Sequence, residues 1–154
     1  MPASDRLLLV AAPAAVLATV DLVVKLTVPT ESWAYHHRSQ AWVVLSVVVL
    51  VGAFSLTVVR SRAVAVAAGV MCGGVIGNLV SARADGNWVP NPLVLGNYEH
   101  AVAFNLADVF FLVGNMMLMA TLFVLAIRHR DQLAGPLARA HARVGKRSAR
   151  GLSD

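Results

Sequence analysis

The residues best suited to do chemistry are polar side chains that interrupt long apolar stretches. Asp108 lies in FNLAD (104–108), where a polar segment enters an apolar run, and Asn105 precedes it by three residues. Asn78 follows the glycines of GGVIGNL (73–79). An ionisable residue inside a membrane span marks a functional site by default, although Asp108 could equally be an N-terminal helix charge. Asn105 could cap that helix or support the carboxylate, and Asn78 could brace a loop or simply end a helix.

Asp21 and Lys25 form a second polar pair inside an apolar run. Their separation of four residues places them on one face of a helix, with the acid before the base. Pairing lowers the cost of placing either charge within a membrane. We interpret the pair as a salt bridge that anchors one end of the helix, and a direct catalytic role is the alternative.

Three histidines are the remaining candidates for chemistry, since His36 and His37 are adjacent and His100 lies in a later polar segment. No HxxxH or HExxH spacing connects them. We therefore expect neither a metal nor another cofactor.

The amino-acid composition indicates what kind of structure positions these residues. Of the 154 residues, 58% are hydrophobic and only 14% are charged, whereas a soluble domain carries about 25% charged residues. This composition excludes a soluble enzyme and a disordered tail, and a single cysteine excludes a disulfide scaffold. The sequence predicts an integral membrane protein.

Four apolar runs are long enough to cross a membrane as helices. We therefore expect an all-α membrane protein, a four-transmembrane-helix bundle occupying residues 1–127. Gly69, Gly73 and Gly77 form a small-residue stripe that lets another helix approach the third span closely. A cleavable signal peptide is the alternative for the first run. The predicted helices cover about residues 7–28, 41–59, 63–80 and 106–127.

The basic residues predict the orientation. Ten of the 13 Lys and Arg residues fall on one side of a four-span arrangement, against Lys25, Arg38 and Arg83 on the other, so both termini should be cytoplasmic. The three Trp and two Tyr residues lie on the opposite side, near span ends, where amphipathic rings are favoured. Residues 128–154 form a basic cytoplasmic tail, which indicates contact with anionic lipid and no nucleic acid.

These features together resemble bacterial signal peptidase II, the lipoprotein signal peptidase. The resemblance rests on GGxxGNL closing the third span, FNLAD opening the fourth, and an Asp21–Lys25 pair similar to the family's first motif. It implies a bacterial cytoplasmic membrane protein with an extracytoplasmic active face. Its partner would be a lipidated precursor or another hydrophobic peptide segment, whose signal peptide an aspartic dyad cleaves. On this resemblance Asp108 is catalytic, and Asp21, Lys25, Asn78 and Asn105 support the site.

The sequence departs from the family at the first aspartate of the dyad. GNWVPNP (86–92) places Pro90, or Asn91 after a one-residue shift, at that position. An aspartic mechanism needs one carboxylate as a base and one protonated carboxyl as an acid, so a lone aspartate cannot hold both roles. Asp85 or Glu99 could supply the second acid. The alternative is a catalytically inactive family member that acts as a membrane binding or scaffold protein.

Overall fold

Four long helices dominate the structure, a computed structural model that describes residues 2–97 and 100–130. They are α1 (Ala3–Thr27), α2 (Gln40–Ser55), α3 (Arg62–Ala84) and α4 (Leu106–Arg128). All four are long and apolar enough to cross a membrane, α2 together with the 3-10 turn Leu56–Val58 that extends it. The four predicted apolar helices are therefore present, and they are compatible with a multi-pass membrane protein.

The helix ends differ from those predicted by hydropathy, because local caps set them. Ser39 accepts a hydrogen bond from the Trp42 N–H at 3.2 Å and starts α2, and Ser61 does the same for α3 through Val64 at 3.4 Å. The α3 helix continues six residues beyond Asn78, to Ala84. Asn78 is therefore not a helix end, and that interpretation was wrong.

The segments between α1 and α2 and between α3 and α4 contain four short strands, which an all-α fold does not include. Strand β1 (Tyr35–His37) pairs antiparallel with β2 (Trp88–Pro90), and β3 (Leu93–Leu95) pairs antiparallel with β4 (Val102–Phe104). Three-residue strands are too short to show the alternation by which strands are recognised in a sequence. The β1–β2 pair brings the two connecting segments together and positions part of the site.

Helix α3 is the most buried span, with 67% of its apolar window buried against 22% for α1. Its glycines allow the other helices to approach closely, as the predicted stripe requires. A Cβ added at Gly69 would lie 2.6 Å from the carbonyl oxygen of Val10, and one at Gly73 would lie 2.8 Å from the Cβ of Leu17. Close packing of α1 on α3 therefore depends on these positions.

The chain divides into two compact units, Met1–Leu118 and Met119–Asp154. The first contains α1, α2, α3, all four strands and the beginning of α4. The second is described over residues 119–130, where α4 continues as a mostly exposed helix. The predicted basic tail, residues 128–154, lies outside the described residues beyond residue 130.

Candidate functional site

Asp21 and Lys25 form a buried ion pair that connects α1 with two other helices. Lys25 Nζ lies 2.7 Å from Asp21 Oδ2 and donates a hydrogen bond to Asn78 Oδ1 at 2.9 Å. Asp21 Oδ1 accepts a hydrogen bond from the backbone N–H of Ala107 at 2.8 Å. The geometry agrees with the predicted salt bridge, and it shows that the pair ties α1 to both α3 and the first turn of α4.

Asn105 and Asp108 cap the start of α4 reciprocally. The backbone N–H of Asp108 donates to Asn105 Oδ1 at 2.9 Å, and the backbone N–H of Asn105 donates to Asp108 Oδ2 at 3.3 Å. This is the arrangement of a capping box, in which two N-terminal donors are satisfied at once. Both roles that the sequence left open for Asn105, as a cap and as support for the carboxylate, are present together.

The amide of Asn78 lies between these two groups and makes three hydrogen bonds. Its Oδ1 accepts from Lys25 Nζ and from Asn105 Nδ2, the latter at 3.0 Å, and its Nδ2 donates to Asp108 Oδ1 at 2.9 Å. The side chain is buried. A satisfied buried network of this kind holds its members in one arrangement, so Asn78 fixes the position of the Asp108 carboxylate.

Arg38 is a member of the site that the sequence did not reveal. Its Nη2 lies 3.9 Å from Asp108 Oδ1, and its guanidinium carbon lies 5.0 Å from the centre of the Trp42 ring. A cation over an aromatic face is a stabilising contact. No local spacing signals this contact, because Arg38 follows β1 and precedes α2, which begins at Gln40.

Asn91 is buried and connected to the site through Asn105. Its Oδ1 accepts a hydrogen bond from Asn105 Nδ2, and its Nδ2 lies 2.8 Å from His36 Nδ1. The same Nδ2 donates to the carbonyl oxygen of Ala103 at 3.5 Å. Asn91 therefore joins the two strand pairs to the cap of α4, and its connection to Asp108 passes through a second amide.

The candidate second acids are not brought to Asp108 within the described chain. The partners of its carboxylate there are hydrogen-bond donors, namely Asn78, the backbone of Asn105 and Arg38, and none is a carboxyl group. Asp85 is exposed at the end of α3 and makes no side-chain hydrogen bond within the described residues. Glu99 lies outside the described residues. Across residues 2–97 and 100–130, no three His, Cys, Asp or Glu side chains converge to hold a metal ion.

A cavity of about 310 Å³ opens beside Asp108 and lies between α2, α3 and the first turns of α4. One end is polar, and the walls are mostly apolar side chains. A partly enclosed apolar cavity with a few placed polar groups is the usual form of a ligand site. Its lining residues are Arg38, Trp42, Leu45, Ser46, Val49, Gly74, Val75, Asn78, Asp108 and Phe111.

The comparison with known proteins gives no relative for this site. No protein-family model matches the chain, and no curated protein or solved structure matches it either. The chemistry of the site must therefore be inferred from three features: the Asp21–Lys25 pair, the amides that hold Asp108, and the cavity that its carboxylate faces.

Proposed function

We propose that the protein is a signal peptidase II-like membrane protein that binds a lipidated precursor or another hydrophobic peptide segment in the cavity without hydrolysing it. The observation that carries the proposal is the environment of Asp108. Its carboxylate faces the cavity, but Asn78, Asn105 and Arg38 hold it in place. Where the resemblance implies a second aspartate, the chain has Pro90, or Asn91 after a one-residue shift, and neither a proline nor an amide can exchange protons as a general acid or base.

The same proposal places the protein in a bacterial cytoplasmic membrane, with the site on the extracytoplasmic face and both termini in the cytoplasm. Arg60 lies between α2 and α3, and Arg62 is the first residue of α3, away from the segments that carry the site. Basic residues favour the cytoplasmic side, and aromatic residues favour the interfaces. The described Trp and Tyr residues, which all lie at the site end, are Trp33, Tyr35, Trp42 and Trp88.

Labelling of whole cells tests this orientation. A cysteine introduced by Asp85→Cys, at the exposed end of α3, should react with an impermeant maleimide added outside the cells. One introduced by Arg60→Cys should react only after the membrane is permeabilised. The reverse pattern would place the cavity on the cytoplasmic side and contradict the proposal. The native Cys72 is buried, and a Cys72→Ala background removes it from the assay.

Peptide hydrolysis is the second candidate function, and one observation favours it. The Asp108 side chain is 37% exposed and lines the cavity, so it can reach a bound substrate. Hydrolysis would require a second acid, Glu99 or Asp85, to approach Asp108 when substrate binds. Because hydrolysis would need this rearrangement and binding would not, binding and cleavage can be measured separately.

The deciding experiment reconstitutes the full chain in vesicles with a fluorescently labelled lipidated prolipoprotein. Binding is followed by energy transfer, and cleavage is followed by the mass of the product. We expect binding without cleavage, and we expect Asp108→Asn to weaken binding. Asp5→Asn, which alters an exposed acid at the start of α1, is the matched control and should bind as the wild type does.

The other outcomes each contradict a stated claim. Cleavage by the wild type that Asp108→Asn abolishes would establish the peptidase and overturn the proposal of binding alone. Cleavage that survives Asp108→Asn would remove the functional assignment of that residue. Absence of both binding and cleavage would exclude both candidate functions for this substrate class.

A further inference from the structure

Ser46 places an unused hydroxyl inside the cavity. It is the single polar side chain between Trp42 and Phe54, it is only 7% exposed, and it lines the cavity. Its hydroxyl makes no hydrogen bond to any part of the chain that the structure describes. By contrast, the Ser55 hydroxyl donates to the Val51 carbonyl at 2.8 Å, and the Ser81 hydroxyl donates to that of Gly77 at 2.9 Å. Because the Ser46 side chain lines the cavity and its hydroxyl has no partner within the described chain, it can form a hydrogen bond to a ligand there.

Arg38 has unused donors at the polar end of the same cavity. Its Nε is buried and has no hydrogen-bond partner within the described chain. The 3.9 Å between Nη2 and Asp108 Oδ1 is an ionic contact, too long for a hydrogen bond. The Trp42 ring holds the guanidinium in place. The arginine is therefore positioned at the cavity with its Nη groups available to a bound group, whereas the buried Nε is not accessible to one.

The spacing of Trp42 and Ser46 along α2 is close to the repeat of an extended peptide. The Arg38 guanidinium lies over the Trp42 ring, and Trp42 and Ser46 are four residues apart, which is about 6 Å along a helix axis. In an extended chain, carbonyls on one side recur every two residues, about 6.6 Å apart. The cavity volume of 310 Å³ equals that of about ten water molecules in the liquid, which leaves room for the backbone of two residues.

The charge at the cavity mouth disfavours an anionic lipid head group as the occupant. A phosphate that approached Arg38 would also approach the Asp108 carboxylate, which is 3.9 Å from the guanidinium. Repulsion from that carboxylate offsets part of the attraction to the guanidinium. An uncharged amide fits both groups, because its carbonyl can accept from Arg38 while a neighbouring N–H donates to Asp108.

We propose that Arg38 and Ser46 form two hydrogen-bonding subsites that read alternate backbone carbonyls of an extended, uncharged peptide segment. The proposal rests on the proposed function, since it specifies how a bound segment is held. Because both subsites bond backbone carbonyls, they select a segment by its extended backbone. It makes Arg38 and Ser46 specificity-determining residues, and it gives the buried hydroxyl of Ser46 its partner.

The test measures the affinity of the full chain, in detergent micelles, for a capped, uncharged Leu/Ala peptide in which each carbonyl in turn is replaced by a thioamide. A thioamide sulfur is a weaker acceptor than an amide oxygen. We expect Ser46→Ala to lower affinity by about 2- to 10-fold, the contribution of one neutral hydrogen bond. At one peptide position, the thioamide should weaken binding to the wild type but not to Ser46→Ala. At a second position, two residues away, the thioamide should weaken binding to the wild type but not to Arg38→Gln.

Ser55→Ala is the matched control, because the Ser55 hydroxyl bonds its own helix and lies outside the cavity lining. The dependence on thioamide position separates recognition from a general loss of structure, which would affect every peptide equally. If the wild type binds no peptide, the proposed function fails. If it binds and Ser46→Ala is unchanged, or the sensitive positions are not two residues apart, this inference alone is overturned. Displacement of the peptide by lysophosphatidylglycerol that requires Ser46 would assign the subsites to a lipid and also overturn it.

Discussion

The carboxylate of Asp21 in α1 accepts a hydrogen bond from the backbone N–H of Ala107 at 2.8 Å, so one spanning helix caps the first turn of another. The first N–H groups of a helix have no partner within it, and the helix dipole favours an anion there. Lys25, 2.7 Å from the same carboxylate, balances its charge. The pair therefore acts as a clamp between helices at the level of the cavity.

Breaking the clamp from one side should destabilise the protein strongly. Asp21→Asn leaves the buried Lys25 ammonium without its counterion, and we expect the free energy of unfolding to fall by about 3–5 kcal/mol. Asp21→Asn combined with Lys25→Met should recover part of the loss, because no unpaired charge remains. Unfolding by SDS in mixed micelles measures both. Asp5→Asn, at an exposed position, is the control. If Asp21→Asn changes the free energy of unfolding no more than Asp5→Asn does, the Asp21–Lys25 pair contributes nothing to stability.

Two glycines in different helices should respond oppositely to a methyl group. A Cβ at Gly77 would lie 2.6 Å from Asp21 Oδ2 and 3.3 Å from the Cβ of Ala107, whereas a Cβ at Gly52 would meet nothing within 4 Å. Gly77→Ala should therefore lower the free energy of unfolding by about 1–3 kcal/mol through overpacking. Gly52→Ala should leave it unchanged or raise it by up to about 1 kcal/mol. The same SDS titration compares them, and equal stabilities would contradict the close approach at Gly77.

Removing the Asn105 side chain should cost more than removing an ordinary helix cap. Asn105→Ala deletes the acceptor for the Asp108 N–H and leaves buried amide oxygens of Asn78 and Asn91 with fewer donors. We expect a loss of about 2–4 kcal/mol, the sum of a cap and an unsatisfied buried group. Ser39→Ala, which removes one exposed cap bond from α2, should cost about 1 kcal/mol. Equal losses in thermal unfolding would show that the network adds nothing to the cap.

The sequence predicted the parts of the site that depend on local spacing. The four-residue separation of Asp21 and Lys25 and the three-residue separation of Asn105 and Asp108 each define a helical contact, and the structure contains both. Long apolar runs located the four spanning helices in the same way. The place of Asn78 in the site follows from the sequence once the third and fourth spans are also expected to pack together.

Arg38 and the role of Asn91 could not be predicted, because strand pairing between distant segments places them. Strands β1 and β2 pair with Tyr35 opposite Pro90, and the neighbouring Asn91 N–H donates to the carbonyl of Ala34 at 3.1 Å. Nothing in either three-residue segment specifies that register. Ser46 escaped notice for a different reason, since one serine in an apolar helix is ordinary until a cavity is found beside it.

Pro90, or Asn91 after a one-residue shift, stands where the resemblance implies an aspartate, and the surroundings of Asn91 fit an amide. Its Oδ1 accepts from Asn105, and its Nδ2 donates to the Ala103 carbonyl at 3.5 Å. The same Nδ2 lies 2.8 Å from His36 Nδ1, which accepts from it in the tautomer that carries the ring hydrogen on Nε2. Asn91→Asp would replace that donor with a second acceptor, because an ionised carboxylate has no hydrogen to donate. We expect the free energy of unfolding to fall by about 1–3 kcal/mol.

The matched control for Asn91→Asp is Asn87→Asp, in the same segment. Asn87 has a φ of 72°, a left-handed conformation that both asparagine and aspartate adopt, and its side chain makes no hydrogen bond within the described chain. That substitution should change stability by less than about 0.5 kcal/mol. If Asn91→Asp is as stable as the wild type, the site accepts a carboxylate near Asp108, and the argument against a dyad weakens. If Asn91→Asp also cleaves the lipidated precursor and the wild type does not, the absence of cleavage by the wild type is due to this one amide.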